Sequence, residues 1–295
     1  MSILVDHARA ALRAIGLATF IALLLLSTWF LLRPSPSAFS VEAETESITF
    51  FPADAELAMW RLFDVAVPSS SGQSPRDVRA EAELSIACGT RVSLERVGHG
   101  PIRIGLTEPL DGNSVGIIEF ASGEPTRIDL GQEAVLIMRA GGKDNPTPVL
   151  PFRGRVFLGS DARAGRIALL HSGRLTVLGK SILGDTRYVA NEITLLPGDY
   201  VAFPFDSTDA CKQGPSIVRA PQGFLRTASD QGEGGLQVVL YAPAAGASVN
   251  RLGRSEEVVW ASPWAPFAYD PAFSRLIGFF GFVAVALGIL EWRKS

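Results

Sequence analysis

The chain has 295 residues, 47% hydrophobic and 19% charged, with 27 basic against 30 acidic residues and a net charge of -3. That composition excludes intrinsic disorder and collagen, and its near-neutral balance gives no electrostatic reason to expect nucleic acid as a partner. Two cysteines exclude a disulfide-dense mini-scaffold and any four-thiolate metal site.

Residues 1–14 form a short tail carrying Arg9 and Arg13, followed by Ile15–Leu32, eighteen residues without a charge. As a helix this run spans about 27 Å, close to the hydrocarbon thickness of a bilayer, and it is the first expected transmembrane helix. A cleaved signal peptide is the competing reading. The run exceeds the usual apolar core of such a peptide, and Pro36 stands where cleavage wants a small residue. Residues 33–40, with Pro34-Ser35-Pro36-Ser37 at their heart, read as a stiff extended linker.

Residues 41–270 read as the main domain. Val41–Phe51 alternates, with Glu42, Glu44 and Glu46 on one side and Val41, Ala43 and Thr45 on the other, as a half-exposed strand does. Ser69–Pro75 is a polar low-complexity loop. From Ala80 the chain is a succession of short β-type runs, among them AELSIA, RVSLERV, AVLIM, RLTVL and LQVVLYA, separated by turn signals such as Asp111-Gly112-Asn113 and Pro197-Gly198-Asp199. The expected fold is therefore mainly β and sandwich-like. The spacing of GRIALL, GRLTVLG, SILGDTRYV and ITLLPGDYV over Arg166–Phe203 also resembles bactofilin-type polymerising repeats. That resemblance implies a self-assembling β-solenoid as the alternative.

Leu276–Leu290 is a second apolar run, which Phe273, a snorkelling Arg275 and Trp292 extend to a transmembrane helix over 273–292, with 293–295 as a tail. Basic residues near the spans favour the termini, placing both in the cytoplasm and the main domain in the periplasm of an inner membrane. Trp264, Tyr269 and Trp292 are expected at the membrane interface, with Trp260 and Phe267 nearby. Small residues recur at helical spacing, Ala14, Ala18 and Ala22 in one span and Gly281, Ala284 and Gly288 in the other, a pattern that lets helices pack. In the oxidising periplasm Cys88 and Cys211 pair as one disulfide, or else stay as two small buried hydrophobes.

No motif carries chemistry convincingly. Gly112-Asn113-Ser114-Val115-Gly116 matches the pentapeptide of a nucleophile elbow, but it leads into a strand-like run where the elbow requires a helix. Gly179-Lys180-Ser181 matches the end of a phosphate loop, but Arg174 stands where the first glycine is required. His99 and His171 lie in turn sequences, the four Cys and His positions lack the spacing of a zinc site, and Asp185, Glu192, Asp199, Asp206 and Asp209 offer a glycosidase carboxylates without a reason to choose. No cofactor is expected. The reading is a non-catalytic binding or scaffold protein, an accessory subunit of a cell-envelope membrane complex. Its partners are the lipid bilayer and other membrane or periplasmic proteins, a second copy included. Alternatives are hydrolysis of an envelope glycan or ester and the self-assembling solenoid.

Overall fold

The computed structural model describes residues 37–54, 56–67, 76–78, 81–107, 114–120, 126–139, 148–160, 169–181, 184–203, 220–228, 234–244, 246–251, 255–260, 262 and 264–292. The chain divides into two units. One is a β body, Ser37–Leu178 with Val189–Ala261; the other takes in Gly179–Tyr188 and Ser262–Ser295, together with Met1–Pro36.

The body begins with β1 (Ser37–Thr45), β2 (Ser47–Pro52), β3 (Met59–Leu62), β4 (Val65–Val67), β5 (Arg76–Val78), β6 (Ala82–Ile86), β7 (Arg91–Glu95), β8 (Ile102–Thr107), β9 (Gly116–Phe120) and β10 (Thr126–Asp129). It continues with β11 (Ala134–Met138), β12 (Leu150–Leu158), β13 (Leu170–Lys180), β14 (Arg187–Leu195), β15 (Tyr200–Ala202), β16 (Gln222–Thr227), β17 (Leu236–Ala242), β18 (Ala247–Asn250) and β19 (Glu257–Val259). The large sheet runs β14, β13, β1, β17, β16, β12, β2, β7, β8, β11, β4, β5, with β15, β18 and β19 branching from β12. A smaller sheet runs β10, β9, β6, β3. The fold is mainly β and antiparallel, in keeping with the sandwich-like expectation.

Two devices let one large sheet wrap its own core. At Thr45-Glu46-Ser47 the chain leaves β1, which pairs with β17, and enters β2, which pairs with β12 and β7. The Thr45 hydroxyl donates to Ser47 O at 2.9 Å and accepts the Ser47 N–H at 3.2 Å, closing the corner locally. In β12 the first half pairs with β16, from Leu150↔Leu225 to Arg153↔Gln222, and the second half with β2, from Gly154↔Pro52 to Leu158↔Ile48. Gly154 sits at the changeover with φ +150°, where an added Cβ would lie 1.8 Å from Phe51 O. The strand can therefore bend there only around glycine.

Inward-facing side chains alternate along β12, with Leu150, Phe152, Val156 and Leu158 buried. Phe50 packs in tilted ring contacts against Phe152, with centroids 5.4 Å apart, and against Trp60 of the smaller sheet, with centroids 5.7 Å apart, and the Trp60 indole donates to Pro151 O at 2.8 Å. Along β1, Val41, Ala43 and Thr45 are buried; of the acidic row on the other side Glu42 is exposed and Glu44 half-buried, while Glu46, just past the strand, is half-buried beside His171.

Three expectations change. Residues 37–40, expected in the linker, belong instead to β1, where Phe39 and Val41 are buried. The solenoid is excluded: successive coils would lie parallel, whereas β13 and β14 are joined by a short turn closed by Ser181 N–H to Thr186 O at 2.9 Å, and β15 pairs antiparallel with β12 and β18. The helix expected over 273–292 is observed as Pro271–Trp292, two residues longer at its start. Counting only described side chains, no helix is long and apolar enough to cross a membrane. In that helix most side chains beyond Phe282 lie outside the described residues, and so do residues 15–32.

Candidate functional site

The second unit builds a joint between a helix and the tip of the β13–β14 hairpin. A short helix, α1 (Ala265–Tyr269), is followed by α2 (Pro271–Trp292). Asp270 separates them, and its N–H donates to Pro266 O at 3.1 Å. Its carboxylate accepts the Ala272 N–H at 2.9 Å, and its own carbonyl accepts the Ser274 N–H at 3.1 Å. This is an N-cap followed by proline at the first helical position, where the missing N–H costs nothing.

Asp270 is only 1% exposed, and a second donor reaches it from the hairpin. The Ser181 hydroxyl donates to its carboxylate, with Oγ 3.0 Å from both oxygens. The Tyr188 ring lies close over Gly179: a Cβ there would come 2.4 Å from its Cζ, so the ring would have to shift. Burial, and then the negative charge of Asp270, push the Tyr188 phenol up to about 12. At the exposed rim Lys180 Nζ stands 2.7 Å from Asp185 Oδ1, and its hydrogen bond and charge hold the Asp185 carboxyl below the usual range.

The helix leaving this joint is unlike a core helix. Leu276, Ile277, Phe279, Phe282 and Val285 are all exposed, Phe282 by 73%. At 3.6 residues per turn these positions point to every side of α2, so no polar face exists among them. Just before it, Trp264 and Tyr269 are 62% and 57% exposed. Compared with known protein families, curated proteins and solved structures, the chain matches none.

Other sequence candidates have local partners. The Ser114 Oγ accepts the Gly116 N–H at 3.2 Å, and its hydroxyl is shared by Gly116 O at 2.8 Å and the Asp129 carboxylate. That hydroxyl and the Gly131 N–H hold Asp129 below the usual carboxylate range. His171 Nε2 lies 3.5 Å from Glu46 Oε1 at the sheet corner. Glu192 pairs with Arg174 at 3.4 Å, while Asp199 accepts the Leu196 N–H at 2.9 Å and faces Arg251 at 3.7 Å. Asp206, Asp209, Gly112 and Asn113 lie outside the described residues. Among the described residues no three His, Cys, Asp or Glu side chains are grouped to hold a metal ion.

Cys88 follows β6, with Sγ 3.4 Å from Pro52 O. Cys211, the chain's other cysteine, lies outside the described residues, as do Ala14, Ala18 and Ala22. Gly281 is on α2 with open space around its Cα, and Ala284, Gly288 and Trp292 are helical positions whose side chains lie outside the description. Sequence reasoning missed Asp270 and the part played by Ser181. The available signal was Asp270-Pro271 immediately before an apolar run, a helix-start signature.

Proposed function

We propose that the protein is a non-catalytic, membrane-anchored binding or scaffold protein of the cell envelope, an accessory subunit of an inner-membrane complex. In this reading α2 and Ile15–Leu32 are its two spans, both termini are cytoplasmic and the β body stands in the periplasm. The observation that carries it is the exposure of large apolar side chains on every side of α2, which water penalises and hydrocarbon does not. Trp264 and Tyr269 support it as exposed rings with polar edges, suited to the headgroup layer. A bridge from Cys88 to Cys211 belongs to the same proposal, supported by the count of two cysteines and by the oxidising compartment the reading gives them.

Anchoring is tested by alkaline carbonate extraction, with alkaline phosphatase fused after Ser71 reporting the side of the membrane. Retention in the pellet and an active fusion are expected. Release of the full chain, or an inactive fusion beside a working cytoplasmic reporter, overturns the placement. The accessory-subunit part is tested by purification in mild detergent, where a stoichiometric co-purifying membrane protein is expected and recovery of monomer alone overturns it.

A further inference from the structure

From the position of the β13–β14 hairpin tip beside Asp270 we infer that this tip is a lipid-binding surface: Lys180, Thr186 and Arg187 lie at the headgroup layer of the bilayer that α2 enters, and the two basic side chains hold lipid phosphates. The inference deepens the anchor reading and rests on it.

Depth carries it, and every residue used belongs to the second unit. The 22 residues of α2 make a helix of about 33 Å, against a hydrocarbon core of about 30 Å. Pro271 at its start therefore stands at the hydrocarbon boundary, and Asp270 just outside it. The polar layer beyond that boundary is about 5–8 Å thick on each side. The Ser181 Oγ is 3.0 Å from both Asp270 carboxylate oxygens, so the hairpin reaches this layer through one side-chain contact. The Ser181 N–H donates to Thr186 O at 2.9 Å, which sets Thr186 opposite Ser181. Lys180 and Arg187 are their chain neighbours, each one Cα step of about 3.8 Å away, and both are exposed.

The charges at this level suit phosphate. Lys180, Arg187 and, early in α2, Arg275 are basic and exposed, and long stems let all three place their charged heads among the headgroups. Two carboxylates stand against them. Asp270 is buried under its own donors, so Asp185, 2.7 Å from Lys180, is the acidic group that the surface meets here. The exposed balance is basic, which an anionic leaflet attracts. A guanidinium takes two phosphate oxygens at once and an ammonium takes them as a point charge, so Arg187 and Lys180 can serve neighbouring headgroups. Trp264 and Tyr269, exposed in the same unit, add rings of the kind found in that layer.

The test places an environment-sensitive fluorescent amino acid at Thr186 and, in a separate chain, at Phe282, with the full protein in bilayers whose lipids carry a nitroxide on the headgroup or at mid-chain. At 186 the headgroup nitroxide is expected to quench more than the mid-chain one, and at 282 the reverse. Quenching at 282 with none at 186 overturns the headgroup contact and leaves the anchor standing. Absence of quenching at 282 overturns the anchor reading, and this inference with it, so the two failures are told apart. Phosphate recognition is read by replacing the headgroup-labelled phosphatidylcholine with labelled phosphatidylglycerol, which is expected to quench 186 more strongly. Lys180→Gln combined with Arg187→Gln is expected to lower that preference on the order of fivefold for each charge removed. A preference equal in wild type and the double variant overturns the assignment of phosphate to these side chains.

Discussion

The Trp60 indole N–H donates to the Pro151 carbonyl across 2.8 Å, fastening the smaller sheet to strand β12. Trp60 is also buried against Phe50 with ring centroids 5.7 Å apart. Substitution Trp60→Phe keeps an aromatic ring but orphans a carbonyl. It is expected to lower stability by about 1–3 kcal/mol, and Trp60→Ala by about 3–5 kcal/mol through the added cavity. Urea unfolding followed by the tryptophan-independent far-UV signal measures both, and a Trp60→Phe midpoint equal to wild type removes the role given to the bond.

Gly154→Ala tests the bend in β12. The residue needs φ +150° and its new methyl would meet Phe51 O at 1.8 Å, a backbone atom that cannot step aside. A loss of more than about 2 kcal/mol is expected. Gly131 is the control, since its φ of +70° is strained for alanine but nothing lies within 4 Å. There the loss should stay near about 1–2 kcal/mol. Equal losses at the two positions show that conformation, not the close approach, sets the cost.

How much of this was legible follows from range in sequence. Period-two alternation is a local property, so Val41, Ala43 and Thr45 announce a strand with one buried face, and the apolar run after Pro271 announces a helix. Sheet order is not local. Nothing in residues 150–158 says that Arg153 pairs with Gln222 while Leu158 pairs with Ile48, and the glycine that permits this is one of 29. The solenoid expectation failed for the same reason, because regular spacing of short strands does not state whether neighbours run parallel or antiparallel. Ser181 was legible only as part of a phosphate-loop fragment, since its real partner, Asp270, lies 89 positions away.

Alkaline pH offers a further check on the second unit. The Tyr188 phenol ordinarily titrates near 10.0 and is raised to about 12 by burial and by Asp270. Between these values the unfolded chain releases this proton and the folded one keeps it, so the folded state binds more protons and stability falls as pH rises. The stabilising contribution is fully present below about 10.0 and is lost as pH climbs through about 12. Tyr188→Phe should flatten this part of the pH profile of thermal unfolding relative to wild type. A profile identical to wild type assigns the loss to other groups.

The proposed Cys88–Cys211 bridge closes a long loop, and bridges of that kind stabilise by about 2–4 kcal/mol, largely through the unfolded state. Reduction is expected to lower the urea midpoint by a corresponding amount and to retard the chain on a non-reducing gel. Cys88→Ser and Cys211→Ser should each reproduce the loss, and the double substitution should add nothing further, because both singles break the same bond. Additive losses, or free labelling of both thiols in the folded protein, reject the pairing.

The strongest demand falls on Phe282. It lies midway along the 22-residue α2, where a helix of about 33 Å would place it near the centre of the hydrocarbon, and it is 73% exposed to its surroundings. If those surroundings are lipid, Phe282→Arg puts a guanidinium where insertion costs about 2.5–3.5 kcal/mol, while Trp264→Arg and Tyr269→Arg, at the headgroup level, cost far less. If α2 stands in water, the ranking reverses in sense: arginine at 282 relieves apolar exposure and improves solubility. Membrane retention after carbonate extraction separates the two cases, with partial release of Phe282→Arg and retention of the two interfacial variants expected. Full retention of Phe282→Arg with unchanged expression would leave the exposed side chains of α2 to be explained by a protein neighbour instead of lipid.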